Sequence, residues 1–141
     1  MRIVDVNVLL YAVNASSVHH RQARRWLDDA LGGPEPVGFT WTVVLAFLRL
    51  ATHRAIFDRP LTVTEAAEVV RDWLGRPGAM VVEPSARHLD LVAGLLQSTG
   101  TAGNLVADAH LAAIAVELGA AIISFDTDFQ RFVGVRLETP T

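Results

Sequence analysis

The stretch Met1-Arg-Ile-Val-Asp5-Val-Asn7-Val-Leu-Leu-Tyr11-Ala-Val13 decides how this chain folds. Arg2–Val6 is a short run rich in apolar β-branched residues, as a buried strand requires, and Asp5 stands near its end. Asn7–Val13 continues as a short helical turn. A strand that feeds straight into a helix is the first unit of an alternating α/β chain.

The same alternation continues outward. His20–Leu31 has helical periodicity, with Ala23, Trp26, Leu27, Ala30 and Leu31 on one face, and Gly32-Gly33-Pro34 ends it. Val37–Thr40 is a second strand. Thr42–Thr52 is a helix expected to turn Val44, Leu45, Leu48 and Ala51 inward. Thr62 and Glu65 form a capping box for a helix that runs to Leu74 and stops at Gly75–Gly78. Ala79–Glu83 is a third strand. Ser85 is expected to cap a helix to about Leu96, and Asn104 one that ends at Leu118, before Gly119. Ala120–Phe125 is a fourth strand, Asp126–Phe132 a helical turn and Val135–Glu138 a last strand. Strands alternating with helices imply α/β architecture: a parallel sheet covered on both faces.

Residues 1–141 suit one domain, with about two-thirds of the unfolded surface buried. Hydrophobic residues make up 51% and charged residues 19% of a chain with net charge −3. There is no cysteine, which excludes a disulfide scaffold, a thiolate metal site and a Cys nucleophile. All twelve basic residues are arginine, so a Schiff-base or P-loop lysine is excluded too. Pro36–Leu48 is uncharged for only thirteen residues, short of the ~20 that span a bilayer. Asp5 and Asn7 interrupt the apolar start that would otherwise resemble a signal peptide. The expectation is a cytoplasmic protein with no membrane partner.

Ligands of such sheets sit at the carboxyl ends of the strands, where strand order reverses. Asp5 closes the first strand there and Asp126 follows the fourth, with Asp128 two residues on. Asp108 falls on the second turn of the helix expected from Asn104, whose start lies at the same end. Asp5 and Asp126 each also suit a plain helix cap. Asp108 does not, because it lies in an apolar helix with no arginine in helical reach. Carboxylates converging from remote segments call for a divalent cation, and an all-oxygen set suits Mg²⁺ or Mn²⁺. His19, His20, His53, His88 and His110 show no metal-ligand spacing. His19-His20 reads as a solvated helix start, and His110 as a helix-surface group or a neighbour of the acids. Asn7 is either a support for the acids or an ordinary strand-end residue. Arg21, Arg24 and Arg25 form either a solvated face or a contact to a nucleic-acid backbone. Trp26 reads as core. Trp41 reads as core or as a base-stacking group at the mouth of the site.

Met-Arg-Ile-Val-Asp5-Val-Asn7, Gly103-Asn-Leu-Val-Ala-Asp108-Ala-His and Ser124-Phe-Asp126-Thr-Asp128-Phe129 together resemble the PIN domain. With Leu45-Ala-Phe-Leu-Arg49-Leu-Ala-Thr and Phe57-Asp-Arg-Pro-Leu61, the chain is similar from about residue 2 to 138 to the VapC toxins of type II toxin–antitoxin pairs. The resemblance implies a three-layer α/β/α PIN-like domain with a five-stranded parallel sheet ordered 3-2-1-4-5. It also implies a Mg²⁺- or Mn²⁺-dependent endoribonuclease acting on structured RNA such as tRNA or rRNA. A VapB-type antitoxin and frequent homodimers belong to the same implication. The family's catalytic and metal-binding acids map onto Asp5, Asp108 and Asp126, with Asp128 completing the metal set. Asn7, Asn104, Arg49 and Thr40 are the candidate supporting or substrate-contacting residues.

One departure stands out. The family usually carries a Glu three residues before the arginine of the helix after strand two, and here that position is Ala46, before Arg49. Either the site works with fewer carboxylates, helped through water by Thr40 or Thr42, or the domain is slow or inactive. A degenerate domain that binds RNA or an antitoxin without cutting is the alternative reading. Phosphotransferases that gather aspartates around Mg²⁺ on similar sheets normally use a lysine, which this chain lacks.

Overall fold

Strand β1 (Arg2–Val4) stops where it does because Asp5 turns the chain into helix α1 (Val6–Val13). The Asp5 backbone is extended and its carboxylate accepts the Val6 N–H at 2.7 Å, as a helix N-cap does. The strand is therefore shorter than its β-branched residues suggested. Helix α2 (His20–Leu31) returns to β2 (Val37–Phe39), and α3 (Trp41–Ala51) and α4 (Val63–Leu74) lead to β3 (Ala79–Val81). Helices α5 (His88–Thr99) and α6 (Val106–Leu118) precede β4 (Ala121–Ile123) and β5 (Leu137–Glu138). This computed structural model describes residues 1–141.

All neighbouring strands pair in parallel, in the order β3-β2-β1-β4-β5. Right-handed crossovers then put α1 to α4 on one face and α5 and α6 on the other. The packing agrees: α1 touches α2 and α3, α3 touches α4, and α6 packs on α5, β1 and β4. Ile3, Val4, Phe39, Ile122 and Ile123 are fully buried between these layers. Strand order reverses between β1 and β4, and the Val4↔Ile123 pairing sets Asp5 beside Ser124 at their carboxyl ends. No helix is long and apolar enough to cross a membrane.

Several helix starts and faces differ from expectation for identifiable reasons. Helix α3 turns Val43, Val44, Phe47 and Ala51 inward and leaves Leu45 59% exposed, because an almost wholly apolar helix has no unique inward face. Its cap is Thr40, whose hydroxyl accepts the Val43 N–H at 3.3 Å. The capping box of Thr62 and Glu65 forms as expected. Ser85 does not cap α5. Its hydroxyl donates to Glu117 at 2.6 Å and accepts from Arg87 N–H, so the helix begins at His88. Asn104 does not cap α6 either. It sits exposed in a 3-10 turn over Gly103–Leu105, and the helix starts at Val106, which puts Asp108 on the first turn rather than the second.

Aromatic and histidine positions also differ. Trp41 is half exposed rather than core. Trp26 is only partly buried, with the Arg2 guanidinium 5.3 Å over its ring. The His19-His20 pair is not a freely solvated start: His19 stacks on Phe125 with centroids 4.5 Å apart, and a His20 ring nitrogen lies 2.8 Å from the Tyr11 carbonyl.

Gly78 locks the loop before β3 against the end of α2. Its N–H donates to Leu31 O at 3.0 Å, and an added Cβ would lie 2.7 Å from that oxygen and 2.9 Å from Ala30 O. Both neighbours are backbone, so they yield only by moving α2 or β3. Gly78→Ala is expected to cost about 1–3 kcal/mol, the range for overpacking, read as a lower urea midpoint at unchanged slope.

Candidate metal centre

One serine hydroxyl organises the carboxyl end of the β1–β4 pair. Ser124 is fully buried; its Oγ donates to Asp5 Oδ2 at 2.7 Å and accepts the Asn7 amide at 2.9 Å and the Asp126 N–H at 2.9 Å. Asn7 also donates to Asp5 Oδ2 at 3.1 Å and accepts the Phe125 N–H at 3.2 Å. Asn7 is thus in the first turn of α1, not at a strand end, and ties that turn to the β4 loop. Asp126 caps the 3-10 turn Thr127–Arg131 by accepting the Asp128 N–H at 2.9 Å. The cap and cluster readings of Asp5 and Asp126 therefore coexist: each aspartate caps a turn and also stands at the rim.

Asp108, Asp126 and Asp128 come together, with one carboxylate oxygen from each within 4.8 Å of the other two. Asp5 lies outside this trio but close enough to act on it. Burial raises the Asp5 pKa, and the Asp126 charge adds to that; hydrogen bonds from Ser124 and Val6 work against both. Burial also raises the Asp108 pKa, and the charges of Asp5, Asp126 and Asp128 push it further, to about 6. None of the four acids has an ion-pair partner: the salt bridges of the chain are Met1–Glu35, Arg2–Glu35 and Arg24–Asp28. Four carboxylates with no counter-cation, all offering oxygen, fit a hard divalent ion.

Between α3 and α6 a cleft of about 780 Å³ opens beside the acids. Asp5 and Asp108 line it, together with Thr42, Ala46, Arg49 and Asn104. Ala46 faces the cleft, so the position where an acid was expected does belong to this wall. Thr40 is absent from the lining; it is buried and occupied by its cap and by Thr42, whose Oγ1 lies 3.0 Å away. His110 lines the cleft as well, its Nδ1 2.7 Å from His88 Nε2. Burial and the neighbouring His88 lower the His110 pKa.

Sequence reasoning missed Ser124 and the His88–His110 pair. A lone hydroxyl ending the apolar run Ala121-Ile-Ile-Ser124 was a readable signal for the first. Nothing in the sequence joins two histidines on separate helices.

The PIN-domain family model matches residues 2–135. The chain is similar to ribonuclease VapC37 of Mycobacterium tuberculosis, 55% identical over 99% of this chain and 97% of that one. It is 40% identical to ribonuclease VapC33 of the same species, over 99% and 98% of the two chains. Among solved structures, VapC20 of M. tuberculosis, described as a sarcin-ricin loop cleaving toxin, superposes with TM-score 0.69 at 22% identity, over 96% of this chain and 99% of that one. The Rickettsia felis VapBC2 complex, bound to a DNA fragment from its promoter, contains a chain with TM-score 0.73 at 15% identity, over 99% and 98%. Both structures share the fold.

The Asp108 environment has a consequence for stability. Its carboxyl titrates at about 6 in the folded chain against an ordinary 3.8, so the folded chain binds the proton more tightly than the unfolded one. The associated stability is full below the lower value and is lost as pH rises through the upper one. In chelator, Asp108→Asn is expected to raise Tm near pH 8, with the gain shrinking to nothing toward about pH 4. A gain that grows on acidification would contradict the assignment.

Proposed function

The chain belongs to the PIN-domain family of VapC ribonuclease toxins, and from that premise we propose that it is a divalent-cation-dependent endoribonuclease cutting structured RNA such as tRNA or rRNA. The observation that carries this reading is the meeting of Asp108, Asp126 and Asp128, next to Asp5, with no cation of the chain to neutralise them. Asp108, Asp126 and Asp128 would hold the ion, Mg²⁺ or Mn²⁺, and Asp5 would complete the set from its Ser124-anchored position. A bound divalent ion supplies positive charge to the RNA phosphate and makes a water nucleophilic near neutral pH.

The rest of the work falls to the chain's own groups. Ser124 and Asn7 hold Asp5 and the Asp126 loop in register, so the site forms without large side-chain rearrangement. Burial, with repulsion from Asp5, Asp126 and Asp128, keeps a proton on Asp108 up to about pH 6. Arg49 and Asn104, on opposite walls of the cleft, contact the RNA beside the cut. Thr42, which lines the cleft where Thr40 does not, is the hydroxyl placed to support the ion through water.

The domain comprises residues 1–141, acts in the cytoplasm, and pairs with a VapB-type antitoxin. Complexes of that type are among its structural neighbours. It forms homodimers. Ala46 favours one other reading, a degenerate domain that binds RNA without cutting it.

Asp5→Asn and Asp108→Asn each remove an anionic ligand at constant size, and asparagine still caps α1 at position 5. Both are expected to lose cleavage of cellular RNA while staying folded; wild-type rates in either would remove that residue from the site. Products should carry 5′-phosphate and 3′-hydroxyl ends in Mg²⁺, since water attacks, and none should form in EDTA. Cyclic phosphate ends would contradict the mechanism. No cleavage by the wild type in Mg²⁺ or Mn²⁺ would favour the binding-only reading.

Ala46→Glu would return an acid to the cleft wall one turn before Arg49. Loss of supporting groups at metal sites costs on the order of ten- to a hundred-fold in affinity or activity, so the Glu variant is expected to need less Mg²⁺ for half-maximal cleavage. An unchanged or higher midpoint would mean that position 46 has left the metal site.

A further inference from the structure

Three of the twelve arginines stand within one short run of α2: Arg21, Arg24 and Arg25. Arg24 has a distant partner, Asp28 at 3.9 Å, and Arg21 and Arg25 have none. All three are exposed. The arrangement works against the helix that carries it. Like charges at Arg21 and Arg25 face each other one turn apart. The first turn contains no acid, and Arg21 sits at the positive end of the helix dipole. Two adjoining depressions of about 490 and 390 Å³ are bounded by these arginines and His20, with Ser17 and Val18 on the rim of the first. A chain of net charge −3 has therefore concentrated positive charge around shallow grooves, unpaired at Arg21 and Arg25, with Asp28 the acid on the lining of the second.

The location gives this charge its meaning. His19, at the start of α2, stacks on Phe125 at 4.5 Å and 26° between planes, and Tyr11 packs edge-on against the same ring at 5.3 Å. His20 lies 2.8 Å from the Tyr11 carbonyl. Phe125 directly precedes Asp126, and its N–H is held by Asn7. The start of α2 is thus fastened to the loop that bears Asp126 and Asp128. The arginines follow His19 and His20 on the same helix, so the basic face and the acidic loop are joined through the His19–Phe125 stack.

We propose that the Arg21–Arg24–Arg25 face is a second RNA-binding site, which grips the phosphate backbone of the substrate away from the cut. The proposal rests on RNA being the substrate. Guanidinium groups suit phosphate oxygens through paired hydrogen bonds, and exposed arginines around an open groove read charge rather than sequence. The site therefore adds affinity for long RNA and leaves the chemical step alone. It also offsets the repulsion between RNA and the acidic centre.

The test compares the wild type with Arg21→Gln/Arg25→Gln and the charge-keeping Arg21→Lys/Arg25→Lys, using bulk tRNA over a salt series. Each lost phosphate contact lowers affinity about five-fold at 0.1 M salt and makes the slope of log K against log salt about 0.7 shallower. The Gln variant should show kcat/KM down by about 25-fold, kcat unchanged and the slope shallower by about 1.4; the Lys variant should recover most of both. Unchanged kcat/KM, or a fall in kcat at an unchanged slope, would overturn the proposal. Anisotropy of labelled tRNA, with the arginine changes placed in an Asp108→Asn background that is expected not to cut, keeps the question separate from catalysis. If the wild type cuts no RNA, the enzymatic reading fails, but weaker and less salt-dependent tRNA binding by the Gln variant still supports the face. Equal tRNA binding, with loss only of binding to polyglutamate, would assign the face to an acidic protein segment and overturn the proposal.

Discussion

The parallel pairing of β1 with β4 is the constraint from which the site follows. Val4 opposite Ile123 makes Asp5 and Ser124 neighbours, and the Asp5 N–H closes the ladder on Ile123 O at 2.9 Å. From there one hydroxyl links the Asp5 carboxylate, the Asn7 amide and the Asp126 backbone. Residues more than a hundred positions apart are thereby fixed by the sheet itself rather than by flexible loops. Helix α6 packs on both strands and brings Asp108 to the same rim. The positions of the acids are thus consequences of strand order, and precision of this kind is what a metal site needs.

The electrostatics run against stability. Four acids share one rim, and no arginine of the chain pairs with them. Burial and mutual repulsion hold Asp108 near 6, so the fold carries an unfavourable interaction at neutral pH. A bound cation would turn that repulsion into attraction, and its binding energy would then add to folding. The arginines on α2 repeat the pattern with the opposite sign. Each cluster concentrates charge of one sign, and a bound ion of the other sign would relieve it.

Much of this was legible in the sequence, for definite reasons. The alternation of strands and helices, the acids at the strand ends and the Thr62–Glu65 box are local patterns, and local patterns survive folding. The order of the strands came through the family resemblance, not through periodicity. Other features were lost where two local solutions compete. Leu45 and Val43 are equally apolar, so only packing decides which is buried. Ser85 and Asn104 look like caps, but one is engaged by Glu117 and the other lies in a 3-10 turn ahead of the helix. Ser124 and the His88–His110 contact depend on tertiary pairing and left faint traces or none. Asp5 was legible as an acid at the carboxyl end of the first strand, yet its placement just outside the Asp108–Asp126–Asp128 trio depends on tertiary packing.

The claim on which the account depends is that the acids at the β1–β4 rim take up a divalent ion. Paramagnetic broadening of backbone amide signals by substoichiometric Mn²⁺, recorded on the wild-type chain at neutral pH, tests it without reference to activity. The account predicts selective loss of the signals of residues 5–7, 106–109 and 124–129, restored by excess Mg²⁺. Broadening centred elsewhere, such as on His88 and His110 or on exposed acids of α2, with the rim signals intact, would contradict it.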